Sequence, residues 1–122
     1  MLLVHHHFFL GSIVAYSNEI KINQLGVSKK TLEQEGAVSE AIAKEMVISI
    51  QKLTNSDIAI STTGISGPSG GTKSKPVGLV YIALFYKNNI TVKEFNFSST
   101  RTKHREITSQ AALNMARRAI SD

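Results

Sequence analysis

The sequence has no cysteine among its 122 residues. This absence excludes disulfide bonds, thiolate nucleophiles and cysteine metal sites, and it makes a cytoplasmic location the simpler expectation. Long hydrophobic runs are absent too, since no stretch reaches the roughly 18 to 20 apolar residues that a membrane-spanning helix needs. The start, residues 1–7, lacks a basic segment followed by an apolar one, so it is not expected to be a signal peptide. We expect no contact with a membrane.

Clusters of metal-ligating residues and carboxylate pairs spaced for hydrolysis are also missing from the sequence. The three histidines at positions 5–7 could bind a metal, but an irregular start or an added tag explains them more simply. We therefore expect neither a metal ion nor a cofactor.

The net charge is +5 and the pI is about 9.6, which would attract either nucleic acid or a phosphorylated small molecule. Nucleic-acid binding is not expected, because the basic residues are spread along the chain and form no concentrated stripe. Hydrophobic residues make up 42% of the chain, an ordinary share for a globular protein. With this length, residues 1–122 are expected to form a single domain.

Hydrophobic periodicity and turn residues predict a mixed β-sheet with helices on both faces, an α/β fold. Asn18 and Ser39 are expected to cap helices, and Gly26 to end the first of them. The last helix is expected to bury Ile107, Ala111, Met115 and Ala119, which recur every four residues. Strands are predicted over 8–16, 57–63, 77–86 and 90–97, the last two as a hairpin, and helices over 19–24, 28–35, 39–53 and 101–120.

A glycine-rich loop follows the predicted strand over 57–63. It runs from Thr63 to Gly71 and contains four glycines and two serines. Because glycine lets main-chain N–H groups approach a ligand closely, the loop is suited to bind a phosphate or a ribose. A flexible connection without a ligand explains the same composition. The loop matches neither a Walker loop nor a dinucleotide-binding fingerprint.

Four side chains outside this loop could carry chemistry. Tyr16 and Lys21 are five residues apart at a predicted strand-to-helix junction, and a lysine of lowered pKa can activate a hydroxyl nucleophile. Arg101, just before the last helix, could hold a phosphate, although a solvated surface charge is the simpler interpretation. His104 could act as an acid or a base, but on a charged helical turn we expect it to be solvated.

Several segments in order resemble the signature blocks of the CinA carboxyl-terminal domain family, and the similarity extends over about residues 8–120. The resemblance rests on Ile13-Val14-Ala15-Tyr16-Ser17-Asn18-Glu19-Ile20-Lys21, Leu25-Gly26-Val27, Gly36-Ala37-Val38-Ser39-Glu40, Thr63-Gly64-Ile65-Ser66-Gly67-Pro68, Gly70-Gly71 and Lys75-Pro76-Val77-Gly78. It implies a three-layer α/β/α sandwich with a mixed sheet. It also implies hydrolysis of the carboxamide of nicotinamide mononucleotide to nicotinate mononucleotide and ammonia, in pyridine-nucleotide salvage.

The resemblance assigns roles residue by residue. It implies catalytic roles for Tyr16, Lys21 and Thr63, in support of a serine nucleophile that the lysine activates. It implies a substrate-binding role for the loop glycines and for one arginine, namely Gly64, Gly67, Gly70, Gly71 and Arg101.

The sequence departs from the family pattern at two places. The family's first strand, its Glu-Ser-Cys-Thr-Gly-Gly block and its first helix are missing, and the position of the family's nucleophilic serine falls on His6. Ser12 lies nearby, but within the predicted strand over 8–16, so it is not assigned as the nucleophile. Ser99-Thr100-Arg101 also stands where the family usually has Gly-Asp-Arg.

These departures leave three hypotheses. The first is an amidohydrolase domain for nicotinamide mononucleotide, the second a catalytically dead remnant that still binds a nucleotide, and the third a competence-linked interaction module. Without the first strand and helix, a sheet edge and part of one sheet face are expected to be uncovered, which favours a homo-oligomer.

Overall fold

The computed structural model describes residues 10–15 and 17–121. Its three strands are β1 (Ile58–Gly64), β2 (Leu79–Tyr86) and β3 (Asn89–Asn96). Its helices are α1 (Asn18–Leu25), α2 (Lys29–Glu35), α3 (Glu40–Thr54) and α4 (Arg101–Ser121). None of these helices is both long enough and apolar enough to cross a membrane.

The three helices before β1 begin at serine caps. Ser17, Ser28 and Ser39 each accept a hydrogen bond from the main-chain N–H three residues onward, which satisfies a donor that the first helical turn leaves free. The cap of α3 was expected at Ser39. The expected cap of α1 was wrong by one residue, since Asn18 is already helical and Ser17 has the extended backbone that a cap needs.

The described strands form an antiparallel sheet in the order β1-β2-β3. β2 and β3 form the expected hairpin, whose two-residue turn has positive φ at Lys87 and at Asn88, as the tight turns that suit twisted strands require. The parallel pairing that a mixed sheet needs is not found among these strands.

The sheet lies between two helical layers, which confirms the predicted three-layer α/β/α class. Val80, Ile82 and Leu84 of the central strand pack against α4. Ala83, between them in sequence, packs with Ala43 and Val47 of α3. Because successive strand residues point to opposite faces, a central strand covered on both sides is apolar throughout.

A third apolar cluster lies where α1, α2 and α3 meet. Its members are Leu25, Val27, Leu32, Ile42 and Met46, and Ile13 and Ala15 pack against it.

The predicted strand over 8–16 is wrong for the part that the structure describes, because residues 10–15 have irregular conformation. These residues and β1 together line two cavities, of about 260 and 550 Å³. Because these cavities separate the segment from β1, the two do not form the regular inter-strand hydrogen bonds that define a β-strand pair. Ile13 and Ala15 still pack against the core, whereas Leu10 and Val14 are exposed.

Candidate active site

The glycine-rich connection leaves the end of β1 and returns to the start of β2. Its base is closed by two hydrogen bonds, from Ile65 N to Leu79 O at 2.9 Å and from Gly78 N to Ile65 O at 2.7 Å. The outer part is attached to α2, because the Lys75 ammonium donates to the Glu35 carbonyl at the end of that helix. The loop is thus held in place both at its base and in its outer part.

Close packing within the loop explains part of its glycine content. A Cβ at Gly67 would lie 2.5 Å from Val77 Cγ1, and φ there is +78°. A Cβ at Gly71 would lie 2.6 Å from the Val77 main-chain N. Both distances are too short for any other residue. The substrate-binding role predicted for the loop glycines stays a prediction, since the loop's own packing already requires two of them.

A cavity of about 450 Å³ opens between the loop and the first turns of α4. Four residues of its lining bear on the chemistry: Ser66, Arg101, His104 and Arg105. The others are Val14, Thr62, Gly64, Val80, Thr108 and Ser109. The structure therefore brings Gly64 and Arg101, predicted from the sequence to bind substrate, to one cavity.

Arg101 is held against the glycine loop at the start of α4. Its Nη1 donates to the Gly67 carbonyl at 3.0 Å. Thr100 precedes it, and its hydroxyl accepts from Lys103 N at 3.3 Å, so it acts as a helix cap although the family usually has aspartate there. One end of the guanidinium is engaged with the loop while the group lines the cavity. A guanidinium in this position can hold an anionic group.

His104 is buried, so the expectation that it is solvated was wrong. Its side chain is 2% exposed. Nδ1 lies 2.9 Å from the Ser66 hydroxyl oxygen, and Nε2 lies 3.1 Å from the Gly78 carbonyl oxygen. The imidazole lies between the loop, the start of the central strand β2 and α4, where both ring nitrogens have partners.

Lys21 is buried on α1, with 7% of its surface exposed. Its Nζ donates to the Ala15 carbonyl at 3.1 Å. Burial lowers the pKa of this amine from its ordinary value, because the charged form loses hydration. Val14, the neighbour of Ala15, lines the cavity that also contains Arg101, while Lys21 itself is not part of that lining.

Thr63 lies on the opposite sheet face from Gly64. Its hydroxyl donates to the Ala37 carbonyl at 2.7 Å, and its side chain is buried. Successive residues of β1 point to opposite faces, so Thr62 and Gly64 line the cavity while Thr63 faces the layer of α1 to α3. The structure therefore does not bring Thr63 into the cavity with Arg101.

Tyr16 and His6, the predicted tyrosine and the position of the family's serine, lie outside the described residues. Ser12 is exposed in an irregular segment, so the reason for setting it aside, a place within a strand, was wrong. It lines a separate cavity with Ile58, at the start of β1. Gly64, at the other end of the strand, lines the cavity of Arg101.

The Ser66–His104 contact was missed by sequence reasoning. The two residues are 38 positions apart, and no local pattern links them. One signal was available, since His104, Thr108 and Met115 recur at helical spacing and form the buried face of α4. Within the described residues, no group of three or more histidine, aspartate or glutamate side chains could hold a metal ion.

Comparison with known proteins gives a consistent family match. The family model of the CinA C-terminal domain matches residues 5–120. A competence-damage inducible protein of Clostridium kluyveri is 52% identical over 112 residues, which cover 92% of this chain and 27% of that protein. The CinA-like protein of Syntrophomonas wolfei is 47% identical over 115 residues, 94% of this chain and 28% of that protein.

Solved structures agree in fold. The competence/damage inducible protein CihA from Agrobacterium tumefaciens superposes with a TM-score of 0.81 at 38% identity, over 84% of this chain and 64% of that one. The competence or damage-inducible protein from Enterobacter asburiae gives a TM-score of 0.84 at 32% identity, over 88% and 67%. This chain thus spans about a quarter of the length of the sequence relatives and about two thirds of the solved chains.

Proposed function

This chain belongs to the CinA C-terminal domain family, and from that premise we propose that it is an amidohydrolase-type domain for nicotinamide mononucleotide. The products are nicotinate mononucleotide and ammonia. The observation that carries the proposal is the cavity in which Arg101 and Arg105 lie opposite Gly64 of the glycine loop.

The phosphate of the nucleotide is the group that the cavity fits best. Arg101 and Arg105 line it, and the Arg101 guanidinium is already oriented by its hydrogen bond to the Gly67 carbonyl. A planar guanidinium donates two parallel hydrogen bonds to phosphate oxygens. The net charge of +5 adds a favourable long-range field for such a ligand.

Lys21 supplies the base in this proposal. Its buried amine, with a lowered pKa, is neutral in a larger fraction of molecules near pH 7 than an exposed lysine would be. A hydroxyl next to it transfers its proton to the amine as the oxygen bonds to the carboxamide carbon. Ammonia leaves with that proton when the C–N bond breaks, and water hydrolyses the resulting ester. The family resemblance implies an attacking serine at the position that His6 occupies in this sequence, and a tyrosine, Tyr16, near the lysine.

Ammonia release from nicotinamide mononucleotide tests the turnover. We expect it from a version of this chain in which the family's Glu-Ser-Cys-Thr-Gly-Gly block is restored, and we expect it to be lost when Lys21 of that version is replaced by methionine. Activity of the native chain, without the block, would show that the block is dispensable. Tight binding without ammonia release from either version would instead favour a nucleotide-binding remnant.

Calorimetric titration tests the binding site separately. Arg101→Gln should weaken the binding of nicotinamide mononucleotide about tenfold or more, since a hydrogen bond to a charged group contributes about 1.5 to 3 kcal/mol. Nicotinamide riboside, which lacks the phosphate, should bind the native chain and this variant equally. Arg117→Gln is the control, because Arg117 bonds to Asn114 farther along α4. Equal affinity of all three proteins for the nucleotide would exclude Arg101 as the phosphate ligand.

A further inference from the structure

Ser66 and His104 form a hydroxyl–imidazole pair that the proposed amidase chemistry does not use. The Ser66 hydroxyl oxygen lies 2.9 Å from Nδ1 of His104, and Nε2 lies 3.1 Å from the carbonyl oxygen of Gly78. A nucleophile within hydrogen-bond reach of a base that a third group orients is the arrangement found in hydroxyl-activating enzymes.

The partners of the ring define its tautomer. A carbonyl oxygen can only accept a hydrogen bond, so in the neutral ring Nε2 carries the proton. Nδ1 then has a free lone pair, which accepts the proton of the Ser66 hydroxyl. The Gly78 carbonyl is itself fixed, since it also accepts from Phe97 N at 2.9 Å. The imidazole therefore has its basic nitrogen directed at Ser66.

Burial separates the roles of the two residues. His104 is 2% exposed and packs beside the ring of Phe97, so a change of ring orientation would leave the Gly78 carbonyl with one partner fewer in a buried place. Ser66 is half-buried and lines the cavity of about 450 Å³. A molecule in the cavity can reach the hydroxyl, and His104, which also lines the cavity, lies directly behind it.

We propose that Ser66 is a nucleophile for acyl transfer, with His104 as its general base. As the Ser66 oxygen bonds to an acyl carbon, the hydroxyl proton moves to Nδ1. That proton then passes to the leaving alcohol or amine when the C–O or C–N bond breaks. Water, deprotonated by the same nitrogen, hydrolyses the ester on Ser66 and restores the hydroxyl.

The cavity also defines the substrate class. Arg101 and Arg105 line it beside Ser66, and two guanidinium groups favour a substrate that carries a carboxylate or a phosphate. We therefore assign small anionic esters or amides to this pair. The inference rests on the Ser66–His104 geometry and is independent of the nucleophile that the nicotinamide mononucleotide proposal uses.

A fluorophosphonate probe tests the nucleophile without a known substrate. Ser66 should displace fluoride and form a P–O bond, which mass spectrometry detects as a single adduct on the peptide that contains it. Ser66→Ala should remove the adduct. Ser98→Ala is the matched control and should label like the native chain, since Ser98 is an exposed serine whose hydroxyl bonds to Asn96. His104→Gln should slow labelling about 100-fold, a typical contribution of a general base.

A second measurement covers the case in which His104→Gln does not fold. The ¹⁵N shifts of His104 in the native chain should show a proton on Nε2 and an unprotonated Nδ1 that accepts a hydrogen bond, and the latter signature should change in Ser66→Ala. The proposal is overturned by a proton on Nδ1, by the absence of an adduct on Ser66, or by unchanged labelling in a folded His104→Gln. None of these results would contradict the proposed binding of nicotinamide mononucleotide to Arg101, which the calorimetric titration tests separately.

Discussion

The buried amine of Lys21 couples stability to pH. Its pKa in the folded chain lies below 10.5, its ordinary value, because burial removes water from the charged form. Below the folded pKa the amine is charged in both states, so the cost of burying that charge is fully present. Between the folded pKa and 10.5 the unfolded chain binds more protons, and the free energy of unfolding therefore rises with pH.

Replacing Lys21 by methionine should remove this rise. Urea unfolding in steps from pH 7 to pH 10 would measure it as the difference between the native chain and the variant. Lys44→Met provides the control, because Lys44 is exposed on α3 and should leave the pH dependence as it is. An identical rise in the native chain and in Lys21→Met would mean that the amine is not desolvated.

Alanine at Gly67 should be more destabilising than alanine at a glycine that has open space around it. Its φ of +78° is unfavourable for other residues, and an added Cβ would lie 2.5 Å from Val77 Cγ1. Gly26 also has positive φ, +62°, but an added Cβ there meets nothing within 4 Å. Gly26→Ala should therefore lower the free energy of unfolding by about 1 kcal/mol, because of the positive φ alone. Gly67→Ala should lower it clearly more. Equal losses in thermal unfolding would show that the loop relaxes around the new methyl group.

At the scale of elements, the cap of α3 is expected to matter more than that of α1. Ser39 is buried, accepts from Ile42 N and donates to the Gly36 carbonyl at 2.9 Å. Ser17 is exposed and begins a helix of eight residues. Ser39→Ala should lower the free energy of unfolding by about 1 to 2 kcal/mol, and Ser17→Ala should lower it by less than about 1 kcal/mol. Chemical denaturation measures both, and a larger loss in Ser17→Ala would contradict this ranking.

Local patterns predicted most elements but not the orientation of α4. The expected buried face included Ile107, which is 40% exposed. The buried residues are His104, Thr108, Ala112 and Met115, a face that contains two polar side chains. Apolar spacing alone cannot identify such a face, because its polar groups find hydrogen-bond partners within the folded chain, the His104 ring at residues distant in sequence and Thr108 one turn earlier in the helix. The His104 imidazole bonds to Ser66 and Gly78, and the Thr108 hydroxyl donates to the His104 carbonyl.

The same limit applies to the candidate site. The glycine loop and Arg101 could be predicted because each is a local signal, a cluster of glycines after a strand and an arginine before a helix. Thr63 and Arg101 are separated because Thr63 faces the layer of α1 to α3, whereas Arg101 belongs to α4 on the other face of the sheet. Which helix covers which face is determined only in the folded protein. Local motifs can therefore be predicted from the sequence. The grouping of distant side chains into one cavity depends on how the helical layers pack on the sheet.

At the scale of the whole molecule, the outer edge of β1 is the surface most suited to self-association. Within residues 10–15 and 17–121, β1 pairs with β2 alone. Leu10 and Leu113, 53% and 64% exposed, line the cavity beside it together with Ile58 and Ile60. Free strand edges next to apolar surface tend to pair with another chain. We therefore expect a concentration-dependent homo-oligomer.

A charge on this edge should weaken the association. Lysine on an edge strand opposes strand addition, so Thr62→Lys should shift the protein toward monomer in sedimentation velocity experiments. Thr91→Lys is the matched control, because Thr91 is likewise an exposed threonine, but on β3 at the other side of the sheet. If the two variants dissociate equally, the effect is one of net charge and not of the β1 edge. A native chain that stays monomeric at every concentration would show that this edge is covered within the chain itself.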